Sequence, residues 1–208
     1  MIDPADFVAE IDNPFFPLTP STTFIYLGET PEGTEHNEVV VTKETKEILG
    51  VTTVVVWDKV WLDDELIEET YDWYAQDKEG NVWYFGEDSK EYEDNVVVST
   101  AGSWEAGVDG AQPGIIMEAN PQVGDSYRQE YYQGEAEDMA EVLSLNETAS
   151  VQYDYFTDCL MTKEWTPLEP GVTAHKYYAP GVGFVMEVGV EGGSERLKLI
   201  DIKTGCCE

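Results

Sequence analysis

From residue 22 onward the apolar positions fall in short alternating runs and do not recur every three to four residues along the chain. Runs rich in Val, Thr, Tyr and Trp lie near 22–27, 38–47, 52–62, 66–76, 81–86, 92–100, 126–133, 139–145, 149–153, 159–165, 174–178, 183–188 and 196–202, separated by Gly, Asp, Asn and Pro. Period-two runs bounded by turn formers predict β-strands. One segment, 134–145, also reads as a helix, because Glu135, Glu137, Asp138 and Glu141 make either a solvated helical face or the outer face of a strand.

The turn chemistry predicts sequential hairpins. Asp77-Lys78-Glu79-Gly80-Asn81 joins Trp73-Tyr74-Ala75 to Val82-Trp83-Tyr84-Phe85, with Gly80 free to take positive φ. Asp63-Asp64 and Glu93-Asp94-Asn95 are two further turns. A meander of this length must cover its edges, and closure does so. The predicted fold class is therefore all-β and mainly antiparallel: a single large curved sheet or partly closed β-barrel. Residues 103–124, with Trp104, Gly107, Gly110, Pro113 and Gly114, read as a long loop whose patch Ile115-Ile116-Met117 plugs one mouth of the barrel or serves as a lid. The predicted organisation is an extended lead-in at 1–21 carrying Pro4, Pro14, Pro17 and Pro20, an antiparallel domain at 22–204, and a tail at 205–208.

Composition sharpens this picture. Hydrophobic content of 42% with 12% aromatic is too high for a disordered acidic chain, so a core can form. The formal net charge of −32 excludes a nucleic-acid partner, which needs a basic footprint, and excludes docking to anionic lipid. Tyrosine and tryptophan are expected inside and carboxylates outside. The acidic exterior fits a highly soluble protein from a salty habitat, and it also fits clustered carboxylates that bind Ca²⁺. No run approaches the ~18 apolar residues of a membrane helix. Met1-Ile2-Asp3-Pro4-Ala5-Asp6 carries no basic or apolar leader, so the chain reads as cytoplasmic or as a mature form. Cys159 reads as a small core residue, and Cys206-Cys207 as a frayed tail, a strained disulfide, a soft-metal ligand or an interchain link.

The candidate binding chemistry centres on Arg128 within Tyr127-Arg128-Gln129-Glu130-Tyr131-Tyr132. Alternation puts Arg128, Glu130 and Tyr132 on one face, where the guanidinium either clamps a ligand anion or pairs with Glu130 or Asp72. Trp73 and Trp83, facing each other across the Gly80 turn, supply either core packing or a stacking wall for a ligand. The candidate ligand site is thus Asp72, Trp73, Trp83, Arg128, Glu130 and Tyr132. Glu135, Glu137 and Asp138 are candidate Ca²⁺ ligands, although no EF-hand spacing is present. No Gly-x-Ser-x-Gly or phosphate loop occurs, and neither His36 nor His175 neighbours a nucleophile. Three functions follow: a non-enzymatic binding domain for a small ligand, divalent cation or envelope component; a carboxylate-dependent hydrolase using Asp72, Glu130 or Glu135; or a structural protein of the cell envelope.

Several segments together resemble an uncharacterised family of exported bacterial and archaeal proteins and lipoproteins: Asn13-Pro14-Phe15-Phe16-Pro17-Leu18, Asp72-Trp73-Tyr74-Ala75-Gln76-Asp77, Gly80-Asn81-Val82-Trp83-Tyr84-Phe85-Gly86-Glu87, Tyr127-Arg128-Gln129-Glu130-Tyr131 and Tyr177-Tyr178-Ala179-Pro180-Gly181-Val182-Gly183. The resemblance implies a half-barrel-like antiparallel β fold and an extracytoplasmic location: periplasmic, secreted or at the cell surface. It brings no catalytic or ligand residues with it.

Overall fold

The structure, a computed structural model, describes residues 2–192 and 196–205. Cys206 and Cys207 lie outside the described residues. The strands are β1 (Phe7–Val8), β2 (Thr22–Glu29), β3 (Thr34–Ile48), β4 (Val51–Leu62), β5 (Glu65–Asp77), β6 (Val82–Glu93), β7 (Val96–Ser99) and β8 (Trp104–Glu105). They continue with β9 (Gln112–Met117), β10 (Ser126–Arg128), β11 (Glu130–Tyr131), β12 (Met139–Ser150), β13 (Tyr155–Trp165), β14 (Thr173–Ala179), β15 (Gly183–Glu191) and β16 (Arg196–Thr204). The all-β, antiparallel expectation holds. Thirteen of them form one path, β10-β12-β13-β14-β15-β16-β2-β3-β4-β5-β6-β9-β11, while β1, β7 and β8 pair at its side.

The two ends of this path are consecutive in sequence. Ser126–Arg128 pair with Glu141–Met139, whereas Glu130 and Tyr131 pair with Pro113 and Gln112. A single stretch of chain thus hands its hydrogen bonds from β12 to β9, with Gln129 as the hinge. This makes a nearly closed barrel with a seam between β9 and β10 that no ladder seals. Side chains cover that seam: Ile115 packs on Tyr127, Ala140 and Val142.

Four local expectations need correction. The optional helix at 134–145 is absent. Ala140, Val142 and Ala149 are buried in β12, which joins the two runs read at 139–145 and 149–153 through three register shifts. The run at 92–100 is divided by Asp94 and Asn95, both at positive φ, into the end of β6 and β7. The loop at 103–124 contributes β8 and β9, so Ile115-Ile116-Met117 is a wall strand and not a plug, with Met117 fully buried. The face assignment at 126–133 fails at Gln129, because the strand changes partner there.

The plug is instead the lead-in. Asn13 is buried and donates through Nδ2 to the Gly80 carbonyl (2.9 Å) and the Glu118 carbonyl (3.1 Å). Its backbone N–H and that of Asp12 both donate to Gln76 Oε1 at 2.9 Å. The Gly181 N–H donates to the Pro14 carbonyl at 2.7 Å, and Phe16 meets Tyr74 edge-on with centroids 5.3 Å apart. Ile11, Leu18, Phe15 and Phe16 enter the main core with Phe24, Tyr26, Val41, Leu160 and Val185. A second cluster of Ile48, Val51, Trp73, Phe85 and Trp104 backs β4–β6.

Candidate ligand-binding cavity

Inside the barrel lies a cavity of about 330 Å³, floored by Phe16, Pro17 and Leu18 of the lead-in. Its walls come from β2, β3, β4, β5, β9, β14, β15 and β16. Phe24, Tyr26, Tyr74, Tyr178 and Phe184 make much of the lining, and Tyr26 and Phe184 lie with ring centroids 5.2 Å apart. The polar groups are Glu35, Asn37, Asp58, Lys176 and Glu187. Register explains their convergence. Glu35 pairs with Gly28, Gly28 with Leu197, Leu197 with Glu187 and Glu187 with Lys176, so one row of side chains crosses five strands. A recess of about 80 Å³ shares Glu35, Glu187 and Leu197 with this row and continues to Thr30 and Arg196.

Asp58 and Lys176 are deep in the body but keep surface toward the cavity. Asp58 accepts from Asn37 Nδ2. Burial first, and then the neighbouring Asp72, push its pKa well above the usual carboxylate range, with Glu68 and Glu35 adding to the effect. For Lys176, burial alone would lower the amine; Glu164 and Glu187, at 3.0 Å and 3.8 Å, outweigh it and keep it firmly protonated. Glu164 Oε1 also accepts from Thr162 (2.7 Å) and Tyr178 (2.9 Å). Lys176→Met would leave the buried Glu164 carboxylate without its counter-charge, at a cost of about 2–4 kcal/mol after allowing for the solvent that reaches Lys176. For a chain of this length that is roughly 5–12 °C in thermal midpoint, read by scanning calorimetry. An unchanged midpoint would show that this cluster contributes nothing to stability.

Behind the cavity wall a row of carboxyl groups continues inward, which corrects the expectation that the acids are all outside. Asp72 and Glu87 sit opposite each other on β5 and β6. Asp72 accepts from the Tyr84 hydroxyl at 2.6 Å, and Glu130 accepts from Trp104 Nε1 at 2.9 Å. Burial raises Asp72 to about 7. Burial and then the charges of Asp72 and Glu130 raise Glu87 to about 9. Burial and then Asp138 raise Glu130 to about 7. Burial prevails over the hydrogen bonds these carboxyls accept, because those bonds replace only part of the lost water.

The sequence-derived candidates are dispersed. Asp72 and Glu130 join this buried row. Arg128 is solvent-exposed and stacks over Tyr131 at 4.1 Å, on neither Asp72 nor Glu130. Trp73 lies in the second cluster under Lys46 Nζ, 3.2 Å from the ring centroid. Trp83 donates to Asp77 at 2.8 Å and Tyr132 bridges to Ala136. Glu137 accepts from the Gly134 N–H at 2.8 Å, Asp138 from Thr166, and Glu135 faces solvent. Among the described residues, no three His, Cys, Asp or Glu side chains are grouped as a metal ion requires.

Sequence reasoning missed Glu35, Asn37, Asp58, Lys176 and Glu187. The signal was present for the strand pairs: Asp58 falls in step with Val54, Val56 and Val60, and Glu35 and Asn37 fall in step with Val39 and Val41. A charged residue on the apolar parity of a strand is the mark of a polar group turned inward. Lys176 carried no such mark, because its partners come from β13 and β15.

The fold and cavity define a class: a nearly closed antiparallel barrel with a plugged floor and an acidic, aromatic interior. The crystal structure of a protein inferred to be exported from Bacteroides fragilis, with a YmcC-like fold, matches with a TM-score of 0.55 at 16% identity over 91% of this chain and 99% of that one. An inferred lipoprotein from Parabacteroides distasonis matches with a TM-score of 0.44 at 12% identity over 91% and 98%. No protein-family model matches the chain, and no curated protein matches it significantly. The fold expected from the resemblance is therefore the one observed. No helix among the described residues is long and apolar enough to cross a membrane.

Proposed function

We propose that this protein is an extracytoplasmic, non-enzymatic binding domain whose barrel cavity holds a small ligand. The observation that carries this reading is the cavity of about 330 Å³, in which aromatic walls surround polar groups from separate strands. That size and lining suit small-molecule sites, which span ~300–1,000 Å³. The description of the Bacteroides fragilis protein as exported supports the location. Binding is favoured over hydrolysis by Asp72, Glu130 or Glu135 because none of the three lines the cavity: Asp72 and Glu130 are buried and bonded to Tyr84 and Trp104, and Glu135 faces solvent.

The test uses N-phenyl-1-naphthylamine, a neutral apolar fluorophore. Saturable fluorescence enhancement at one site per chain is expected, with an affinity on the order of micromolar. Val39→Trp, which fills the cavity, is expected to weaken it about 10-fold or more. Leu197→Trp is the second variant should the first lose its β-sheet circular dichroism. Enhancement that never saturates, or that both folded variants retain, would remove the cavity reading.

A further inference from the structure

We propose that the ligand is an organic ammonium, its positive nitrogen seated by Asp58 and Glu35 and its apolar body against Phe24, Tyr26 and Phe184. This rests on reading the cavity as a ligand site, and it goes further by assigning charge and chemical class. Three observations carry it.

The first is charge. The titratable groups on the lining are the carboxyls of Glu35, Asp58 and Glu187, the amine of Lys176 and the phenols of Tyr26, Tyr74 and Tyr178. The amine is already held between Glu164 and Glu187. Counted formally with Asp58 neutral and with Arg196 of the adjoining recess included, Glu35, Glu164 and Glu187 outnumber Lys176 and Arg196, within a chain of net charge −32, so an anion entering the cavity meets an adverse field and a cation a favourable one. The second is the aromatic lining. Ring faces attract a diffuse organic cation, and a cage of rings with one carboxylate is the usual solution for quaternary ammonium recognition. The third is what the lining lacks: among the described residues no grouping suits a metal ion, so the acidic cavity is matched to a cation that needs no tight oxygen cage.

Asp58 makes this site respond to its occupant. Facing it are Glu35 and Asn37 of β3, Tyr26 of β2, and Glu68, Asp72 and Tyr74 of β5. Burial and these acids favour its neutral form in the empty cavity. An ammonium beside it restores the charged form, so binding releases a proton from the Asp58 carboxyl to solvent, and affinity rises with pH.

The experiment compares three probes of one shape on the full chain: choline, its neutral isostere 3,3-dimethylbutan-1-ol, and 3,3-dimethylbutyrate. The methyl resonances of Ile116, which lines the cavity, report occupancy, and calorimetry reports affinity and proton release. Choline is expected to bind about 10-fold or more tighter than the alcohol, with the carboxylate weakest. Asp58→Asn is expected to lose about 10-fold for choline, abolish the released proton, and leave the alcohol unchanged. Glu35→Gln supplies the same comparison if Asp58→Asn does not fold. If the alcohol shifts Ile116 and binds as well as choline, the ammonium assignment is overturned while the cavity reading stands. If no probe moves Ile116 and the naphthylamine also fails to saturate, both readings fall together.

Discussion

Replacing Gly114 with alanine is expected to destabilise the protein by about 3 kcal/mol or more, and to act at the seam. Gly114 pairs with Tyr84 on one side and lies against the backbone of the split strand on the other. A Cβ there would come within 2.4 Å of the Gln129 carbonyl carbon and oxygen and 2.5 Å of the Arg128 carbonyl oxygen. All three atoms are main chain, so no rotamer change relieves the overlap. Either β9 leaves β6, or the stretch 126–131 leaves β9, to which it is held by the ladder pairs Glu130–Pro113 and Tyr131–Gln112 and by the packing of Ile115 on Tyr127. The expected fall in thermal midpoint is roughly 6–12 °C. Hydrogen exchange should separate the two routes: loss of protection along Val82–Tyr84 of β6 marks departure of β9 from β6, whereas loss confined to Glu130, Tyr131 and Gln112 marks detachment of the split strand. A midpoint equal to the wild type would mean that β9 and the split strand are free to move apart.

The second large effect is on pH dependence. Asp72 and Glu130, raised to about 7, and Glu87, raised to about 9, bind protons more tightly folded than unfolded. Between the ordinary carboxylate range and these values the native chain therefore holds more protons than the unfolded one. Stability is greatest near the ordinary carboxylate range and is lost as pH rises through about 7 and on through about 9. Asp77 works in the opposite sense: burial would raise it, but hydrogen bonds from Trp83, Asn81 and Glu79 prevail and lower it, so its contribution is lost in stronger acid. The result is a maximum in mildly acidic solution and a decline toward alkaline pH on the order of 4 kcal/mol, from Asp72 alone. Urea titrations from pH 4 to pH 9 would measure it. Asp72→Asn with Glu87→Gln should flatten the curve; a wild-type curve already flat across that range would show that these acids are ionised in the native state.

Much of the architecture was legible because strands advertise themselves by parity and turns by composition. The meander from β2 to β6 and its Gly80 turn follow directly from that rule. The sequence failed where pairing, not composition, decides the element. Residues 112–117, punctuated by Pro113 and Gly114, look like loop, yet they are required as a strand because β6 and β11 need a neighbour. The residue run 126–131 reads as one strand with two faces, but its change of partner at Gln129 turns Arg128 out and Glu130 in. The site suffered most. Arg128 and the two tryptophans draw attention by residue type, whereas Asp58 and Glu35 are two acids among 43 until register places them on the inner parity. Lys176 could be found only through its partners Glu164 and Glu187.

The anchoring of Pro14 to Gly181 has a consequence for how the protein is made. The segment that seals the bottom of the barrel is made well before the residues that secure it, and β2 must likewise wait for β16. The core cannot close before β16 has emerged, and contacts of such sequence separation form slowly. The barrel therefore stays open, and its interior wet, until β16 is in place.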